Sequence, residues 1–221
     1  MIFDDRAHAG RVLGARLASR AASKNEDAVV LGLARGGIPV AAEAARALGA
    51  PLGVVVVRKL GAPSSPEYAL GAIAADGARV IREDDVAELG LSPGALAEIE
   101  ARERAELARR EALYGRALPA LDARGKTVYL VDDGLATGAS MTAAARSVRQ
   151  RRPAKLVIAA PVGARATVEA LKREADEVFC VEIPPAFSCV GAWYASFDQT
   201  TDEEVLRLLA ESGHRAGLGS A

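Results

Sequence analysis

Two adjacent acids, Asp132 and Asp133, end an apolar run and open a stretch of small and hydroxylated residues, in the segment VYLVDDGLATGASM from Val128 to Met141. The stretch reads as a strand that runs through a loop into a helix. Ala136, Thr137, Gly138, Ala139 and Ser140 suit a turn in which successive N–H groups, with the free N–H groups of a helix's first turn, cradle a phosphate. Glycine lets the backbone turn sharply and come close to a ligand. The hydroxyls of Thr137 and Ser140 add donors. The aspartates repel such an anion, so their partners must be donors: sugar hydroxyls or a divalent cation. The loop therefore suits a molecule with a phosphate at one end and a diol beside it. A Walker A loop needs G-x-x-x-x-G-K-[ST], and no lysine stands here; a G-x-G-x-x-G dinucleotide fingerprint is also absent from the loop.

Such a loop has to be carried to one end of a sheet. Near-continuous apolar runs occur at 28–33, 53–57, 127–131, 155–162 and 177–183. They are short, β-branched and without polar alternation, as strands covered on both faces are. Helical stretches at 37–49, 139–151 and 164–174 lie between most of them, and the β-α-β alternation predicts an open, doubly wound α/β sheet with flanking helices. In such sheets ligands bind at the carboxyl ends of the strands, which is where the Asp132–Asp133 loop emerges. A further helix is expected over about residues 5–21, starting at the Asp4-Asp5 cap.

Residues 58–80 are rich in Gly, Pro and Ser and read as a long loop followed by short strands. Residues 92–115 read as a long helix with Ser92 as cap and Pro93 at its first position. Its Glu98/Arg102, Glu100/Arg104 and Glu106/Arg110 pairs are spaced i,i+4 in the favourable order. Its apolar stripe (Leu96, Ile99, Leu107, Tyr114) is narrow and shares a face with Glu103. That fits a solvated surface helix, or one making a dimer or lid contact.

Composition narrows the function classes. The chain has 221 residues, half of them hydrophobic, which suffices for one sizeable core spanning 1–221. A formal net charge of -1 offers no bulk attraction for nucleic acid. No apolar run approaches a membrane span, and no signal peptide is evident, so a soluble cytoplasmic protein is expected. Cys180 and Cys189 form no disulfide framework and are expected reduced and at least partly buried. His8 and His214 form no metal motif and read as surface residues.

The segment VDDGLATGASM, Val131 to Met141, resembles the phosphoribosyl pyrophosphate (PRPP) signature of type I phosphoribosyltransferases. The resemblance implies that Asp132 and Asp133 bind the ribose 2′- and 3′-hydroxyls and that residues 136–140 wrap the 5′-phosphate. Other pieces follow in family order. GLARGGIPVA at 32–41 is similar to the family's pyrophosphate loop, often with a cis peptide, and implies pyrophosphate contacts from Arg35 and Gly36, with Gly37 leaving backbone exposed. VRKLGAP at 57–63 resembles the start of its mobile loop, here about 58–70, with Arg58 and Lys59 meeting pyrophosphate. Glu67 stands where adenine-type members place a catalytic acid after that loop. Ala136 stands where some 6-oxopurine members carry an acid. The pattern also resembles a bacterial subgroup of uncharacterised phosphoribosyltransferases.

By that resemblance the protein is a PRPP-dependent pentosyltransferase of nucleotide metabolism that uses Mg²⁺, with catalysis resting on Asp132, Asp133, Lys59 and Glu67. A PRPP-sensing regulatory protein without turnover is the alternative. Acceptor choice in the family comes from a variable hood of N- or C-terminal segments, here about 183–199. Trp193 and Tyr194, with Phe187 and Phe197, concentrate aromatics there and could stack on a base; a satellite hydrophobic cluster accounts for them equally well. The expected partners are PRPP and a small-molecule acceptor, with no nucleic acid or membrane and, by family habit, a homodimer.

Overall fold

The apolar runs become strands because both of their faces are covered. In the computed structural model of the protein, which describes residues 1–20, 27–63, 65–116 and 121–218 apart from the side chains of 65–67 and 213–218, strands β1 (Ala28–Ala34), β2 (Leu52–Ala62), β5 (Thr127–Val131), β6 (Lys155–Val162) and β7 (Glu177–Glu182) pair in parallel, in the order β2-β1-β5-β6-β7. Side chains from alternate positions of β1 point to opposite layers. Val30 joins one core with helices α1 (Arg6–Arg20), α2 (Gly37–Leu48) and α7 (Asp202–Leu218). Val29, Leu31 and Leu33 join the other, with α5 (Ala139–Gln150) and α6 (Arg165–Leu171).

With few aromatics available, close backbone approach replaces bulk. A Cβ on Gly10 of α1 would stand 2.7 Å from the Val40 carbonyl of α2, and one on Gly14 would stand 2.8 Å from the Ala47 methyl. The helix α1 starts close to where the Asp4-Asp5 cap predicts: the His8 N–H donates to Asp5 Oδ1 at 2.7 Å, satisfying a first-turn donor. This fixes Arg6, its first residue, over the ends of β1 and β5.

The expected long loop after residue 57 is instead a hairpin. The strand β2 runs on to Ala62 and returns as β3 (Ser65–Ala74), paired antiparallel from Val57↔Ala74 to Ala62↔Ser65 with register shifts around Gly61. Strand β4 (Arg79–Ile81) extends this edge, followed by the short helix α3 (Glu83–Glu88). Gly61 stands at the register shifts of this hairpin.

Helix α4 (Pro93–Gly115) lies on β2 and β3. Ser92 caps it through the Ala95 N–H at 3.2 Å. Its stripe of Leu96, Ile99, Leu107 and Tyr114 is buried as the spacing predicts, and Arg110 is buried with it. The pairs Glu100–Arg104 (2.5 Å) and Glu106–Arg110 (2.7 Å) form, while Arg102 turns to Glu103 (3.5 Å). Cys180 is half-buried, and burial pushes its thiol up to about 12; Cys189 is exposed, unlike the burial expected of it. No helix among the described residues is long and apolar enough to cross a membrane.

Candidate active site

Strand order reverses at β1: the chain passes from β1 to β2 on one side and later places β5 on the other. This is the crevice where an open α/β sheet takes its ligand. Two turns fill it. One leaves β1 through a cis Ala34–Arg35 peptide and enters α2 at Gly36 and Gly37. The other leaves β5 as Asp132 and Asp133. The two turns are in contact, because a Cβ on Gly37 would lie 2.7 Å from the Val131 carbonyl and one on Gly36 2.3 Å from Asp133 Oδ2. Only glycine allows this approach.

The segment after the acids is held from below. The Leu135 N–H donates to Val162, the Ala164 N–H donates back to Leu135, and the Thr167 hydroxyl donates to the Ala136 carbonyl. Gly138 takes the left-handed conformation (φ 81°) at the cap of α5. The Thr142 N–H donates to Gly138, so the N–H groups ahead of it open away from the helix. Ala136 and Thr137 are exposed, Gly138 and Ser140 half-buried and Ala139 buried. This is the geometry of an anion cradle.

Above both turns lies a cleft of about 830 Å³. It is lined by six basic side chains (Arg6, Arg35, Arg58, Lys59, Arg102, Arg110), three acids (Glu103, Asp132, Asp133), Gly36 and Ser140, and by Phe197, Gln199 and Thr200. The cations therefore share one cleft with the two aspartates, and Arg6 is bonded directly to Asp133. Asp132 Oδ1 accepts the Asp133 N–H at 2.9 Å. Burial and the neighbouring Asp133 charge hold the Asp132 carboxyl well above the usual carboxylate range. Burial also raises Asp133, against the pull of the Arg6 guanidinium.

The expected site residues divide into those that face this cleft and those that do not. Arg35, Gly36, Arg58, Lys59, Asp132, Asp133 and Ser140 line it together. Arg58 is engaged there: its Nε and Nη2 both donate to Glu103 Oε2, at 2.9 and 2.6 Å. Arg35 lies 3.9 Å from Asp202, which also accepts from the Tyr114 hydroxyl (2.5 Å) and Arg109 (3.0 Å). Glu67 and His214 fall outside the described side chains. Of the phosphate-loop residues only Ser140 lines the cleft, and Ala136, Thr137, Gly138 and Ala139 do not; Trp193 and Tyr194 do not line it either, while Phe197 does. Tyr194 is buried beneath, packed on Phe3, with its hydroxyl donating to the Asp133 carbonyl at 2.6 Å.

Several lining residues carry no local sequence signal. Arg6 reaches Asp133 Oδ2 at 2.7 Å across 127 positions. Helix α4, which fitted either a solvated surface helix or one making a dimer or lid contact, supplies Arg102, Glu103 and Arg110 as a wall. The presence of Glu103 in the apolar stripe was the one trace of this.

A strand-end acid pair, a loop entering a helix start and a cluster of cations on an open α/β sheet suit a ligand that carries both hydroxyls and anionic groups. Comparison with known sequences agrees: the phosphoribosyl transferase domain matches residues 7–194, and the chain belongs to that family. Two Mycobacterium tuberculosis proteins, from strains CDC 1551 / Oshkosh and ATCC 25618 / H37Rv and provisionally named phosphoribosyl transferases, are each 44% identical over 214 residues. The match covers 97% of this chain and 47% of theirs, so the chain spans about half the length of these curated relatives. The crystal structure of TT1426 from Thermus thermophilus superposes with a TM-score of 0.77 at 44% identity, covering 96% of this chain and 99% of that one.

Proposed function

We propose that this protein transfers the ribose 5-phosphate group of PRPP to a small nitrogenous acceptor of the nucleobase class, releasing pyrophosphate. The observation that supports the reading is that Asp132 and Asp133 share one cleft with Arg35, Gly36, Lys59 and Ser140, at the start of a loop that enters helix α5. The cradle at 136–140 takes the 5′-phosphate, the carboxylates take the ribose hydroxyls, and Arg35, Gly36 and Lys59 face the pyrophosphate. Breaking the C1–O bond builds positive charge on the ribose and negative charge on pyrophosphate. The carboxylates stabilise the first and the cations the second, with the ribose held fixed.

Mg²⁺ fits the donor set. The two carboxylates are hard oxygen ligands whose mutual repulsion is only partly offset by Arg6. Among the described residues no three acidic, His or Cys side chains gather as a metal cage. Asp132 and Asp133 would help to hold the ion together with PRPP, and it would neutralise charge on the leaving pyrophosphate. Cytoplasmic location and a homodimer belong to the same reading; light scattering of the purified chain tests the second.

A sensor that binds PRPP without turnover is favoured by one feature: Arg58 spends two donors on Glu103 in place of facing pyrophosphate. Pyrophosphate release from PRPP and Mg²⁺, with and without a pool of purine and pyrimidine bases, separates the readings. Base-dependent release establishes the transferase, and splitting the pool names the acceptor. PRPP binding without release establishes the sensor. Loss of neither binding nor release in the Asp132→Asn/Asp133→Asn double variant refutes the ribose assignment.

A further inference from the structure

Arg6 makes three contacts that together join the two halves of the cleft. Its Nε donates to Asp133 Oδ2 at 2.7 Å, with the two side chains only 12% and 14% exposed. Its Nη1 donates to the main-chain carbonyl of Asp198 at 2.5 Å. Its guanidinium lies over the Phe197 ring, 3.9 Å from the centroid. The Phe197 ring in turn packs on Tyr194 at 5.0 Å, and the Tyr194 hydroxyl donates to the main chain of Asp133. The contacts form a closed circuit: Asp133 side chain, Arg6, Phe197, Tyr194, Asp133 main chain.

Phe197 is the one aromatic among the described residues that line the cleft. One side of its ring is taken by Arg6 and another by Tyr194, so the ring serves to seat the guanidinium. A planar guanidinium can bond a carboxylate, bond a carbonyl and stack on a ring at once; a lysine ammonium cannot. An ionised carboxylate offers about four lone-pair sites, so the bond to Arg6 leaves Asp133 able to accept from a ribose hydroxyl as well.

We propose that Arg6 is a positioning residue that orients Asp133 for the ribose and, through the same guanidinium, builds the 197–200 segment into the acceptor-side wall. The inference rests on the reading of Asp133 as a ribose carboxylate. Ribose occupancy and hood geometry are then linked through one side chain. The chain provides its own reporter: Trp193, its single tryptophan, adjoins Tyr194 and packs against the Phe3–Tyr194 cluster.

The test is a titration of the full chain with PRPP and Mg²⁺, followed both by calorimetry and by Trp193 fluorescence, for the wild type, Arg6→Ala and Arg6→Lys. The wild type should bind with a fluorescence change. Arg6→Ala should bind roughly 10- to 100-fold more weakly, the scale of one charge-assisted hydrogen bond that a mispositioned Asp133 fails to make to the ribose, with no fluorescence change at saturation. Arg6→Lys keeps the charge but not the fork or the stack, so it should recover affinity to within about tenfold of wild type while leaving the fluorescence silent. A residue acting only through stability would lower the melting temperature and move neither readout at saturation. Three results overturn the proposal alone: Arg6→Ala affinity within twofold of wild type, a full fluorescence response in saturated Arg6→Lys, or a wild type that binds PRPP with its fluorescence unchanged. A wild type that does not bind PRPP overturns the functional reading together with this one.

Discussion

Gly36→Ala should damage PRPP binding while costing the fold only modestly, and the structure sets the size of both effects. A methyl at this position would stand 2.3 Å from Asp133 Oδ2 and 3.1 Å from its Cγ. Contacts under 3.0 Å are essentially never seen for a Cβ, so the carboxylate must retreat by about 0.7 Å or more. It cannot retreat and also keep its 2.7 Å bond to Arg6 and its place between the two turns. A displaced Asp133 would also forfeit one charge-assisted hydrogen bond to a ribose hydroxyl in the complex, at a cost of about 1.5–3 kcal/mol. That corresponds to roughly a 10- to 150-fold rise in the Kd for PRPP. The backbone argues the other way. Gly36 has φ -58° and ψ -31°, an ordinary right-handed conformation that alanine adopts freely. A Gly→Ala change in a compatible conformation stabilises a fold by about 0.4–1 kcal/mol through the unfolded chain. Calorimetric titration with PRPP and Mg²⁺, alongside a thermal melt, should therefore show weakened binding with a melting temperature that falls modestly, because the alanine offsets only part of the lost Arg6–Asp133 bond. Binding within twofold of wild type by a well-folded variant would refute the argument that Asp133 is pinned and ligand-facing. Gly37→Ala is the contrasting case: its methyl would meet the Val131 carbonyl at 2.7 Å and Asp132 Cα at 3.0 Å, backbone atoms that cannot step aside, so the fold itself should lose stability.

Asp132→Asn should leave the ligand-free protein as stable or more stable at neutral pH. Burial and the Asp133 charge raise the folded-state pKa of Asp132 above its unfolded value, so ionisation costs stability at pH 7. That cost vanishes as pH falls through the raised pKa towards the ordinary value of 3.8, and the gap in melting temperature between variant and wild type should close over the same window. Glu106 gives the opposite sign: hydrogen bonds from Arg109 lead the pull on its carboxyl, down to about 2, so its contribution is present above the ordinary 4.5 and is lost as pH falls between the two values. A Glu106→Gln variant should thus differ from wild type in melts at pH 7 and converge with it near pH 2. Phe197→Ala should raise the acceptor KM more than Trp193→Ala does, because Phe197 lines the cleft and Trp193 does not; the reverse order in steady-state kinetics would move the acceptor wall elsewhere.

The parallel strands were legible in the sequence because covering both faces leaves no polar position to interrupt the run. The extension of β2 was not, because Arg58 and Lys59 face the cleft and break the apolar run where the strand continues. Motif residues were legible for a different reason: 131–141 is a single local structure, and its residue types follow from the turn it makes and the anion geometry it offers. Helix α4 shows the boundary between the two kinds of information. Its stripe predicted which residues are buried, yet could not say what they would cover, so the choice between a solvated face and a dimer or lid contact stayed open where the structure has a cleft wall. Arg6 lies wholly beyond that boundary. Nothing in RAHAGRVLG distinguishes it from Arg11, five positions on, which is exposed on the same helix. The difference is made by where the crossing of α1 over α2, close enough to need Gly10 and Gly14, sets down the helix's first residue. Small residues in the α1–α2 contact thereby determine which arginine meets Asp133, and enlarging Gly10 or Gly14 should disturb the site from a distance by lifting α1.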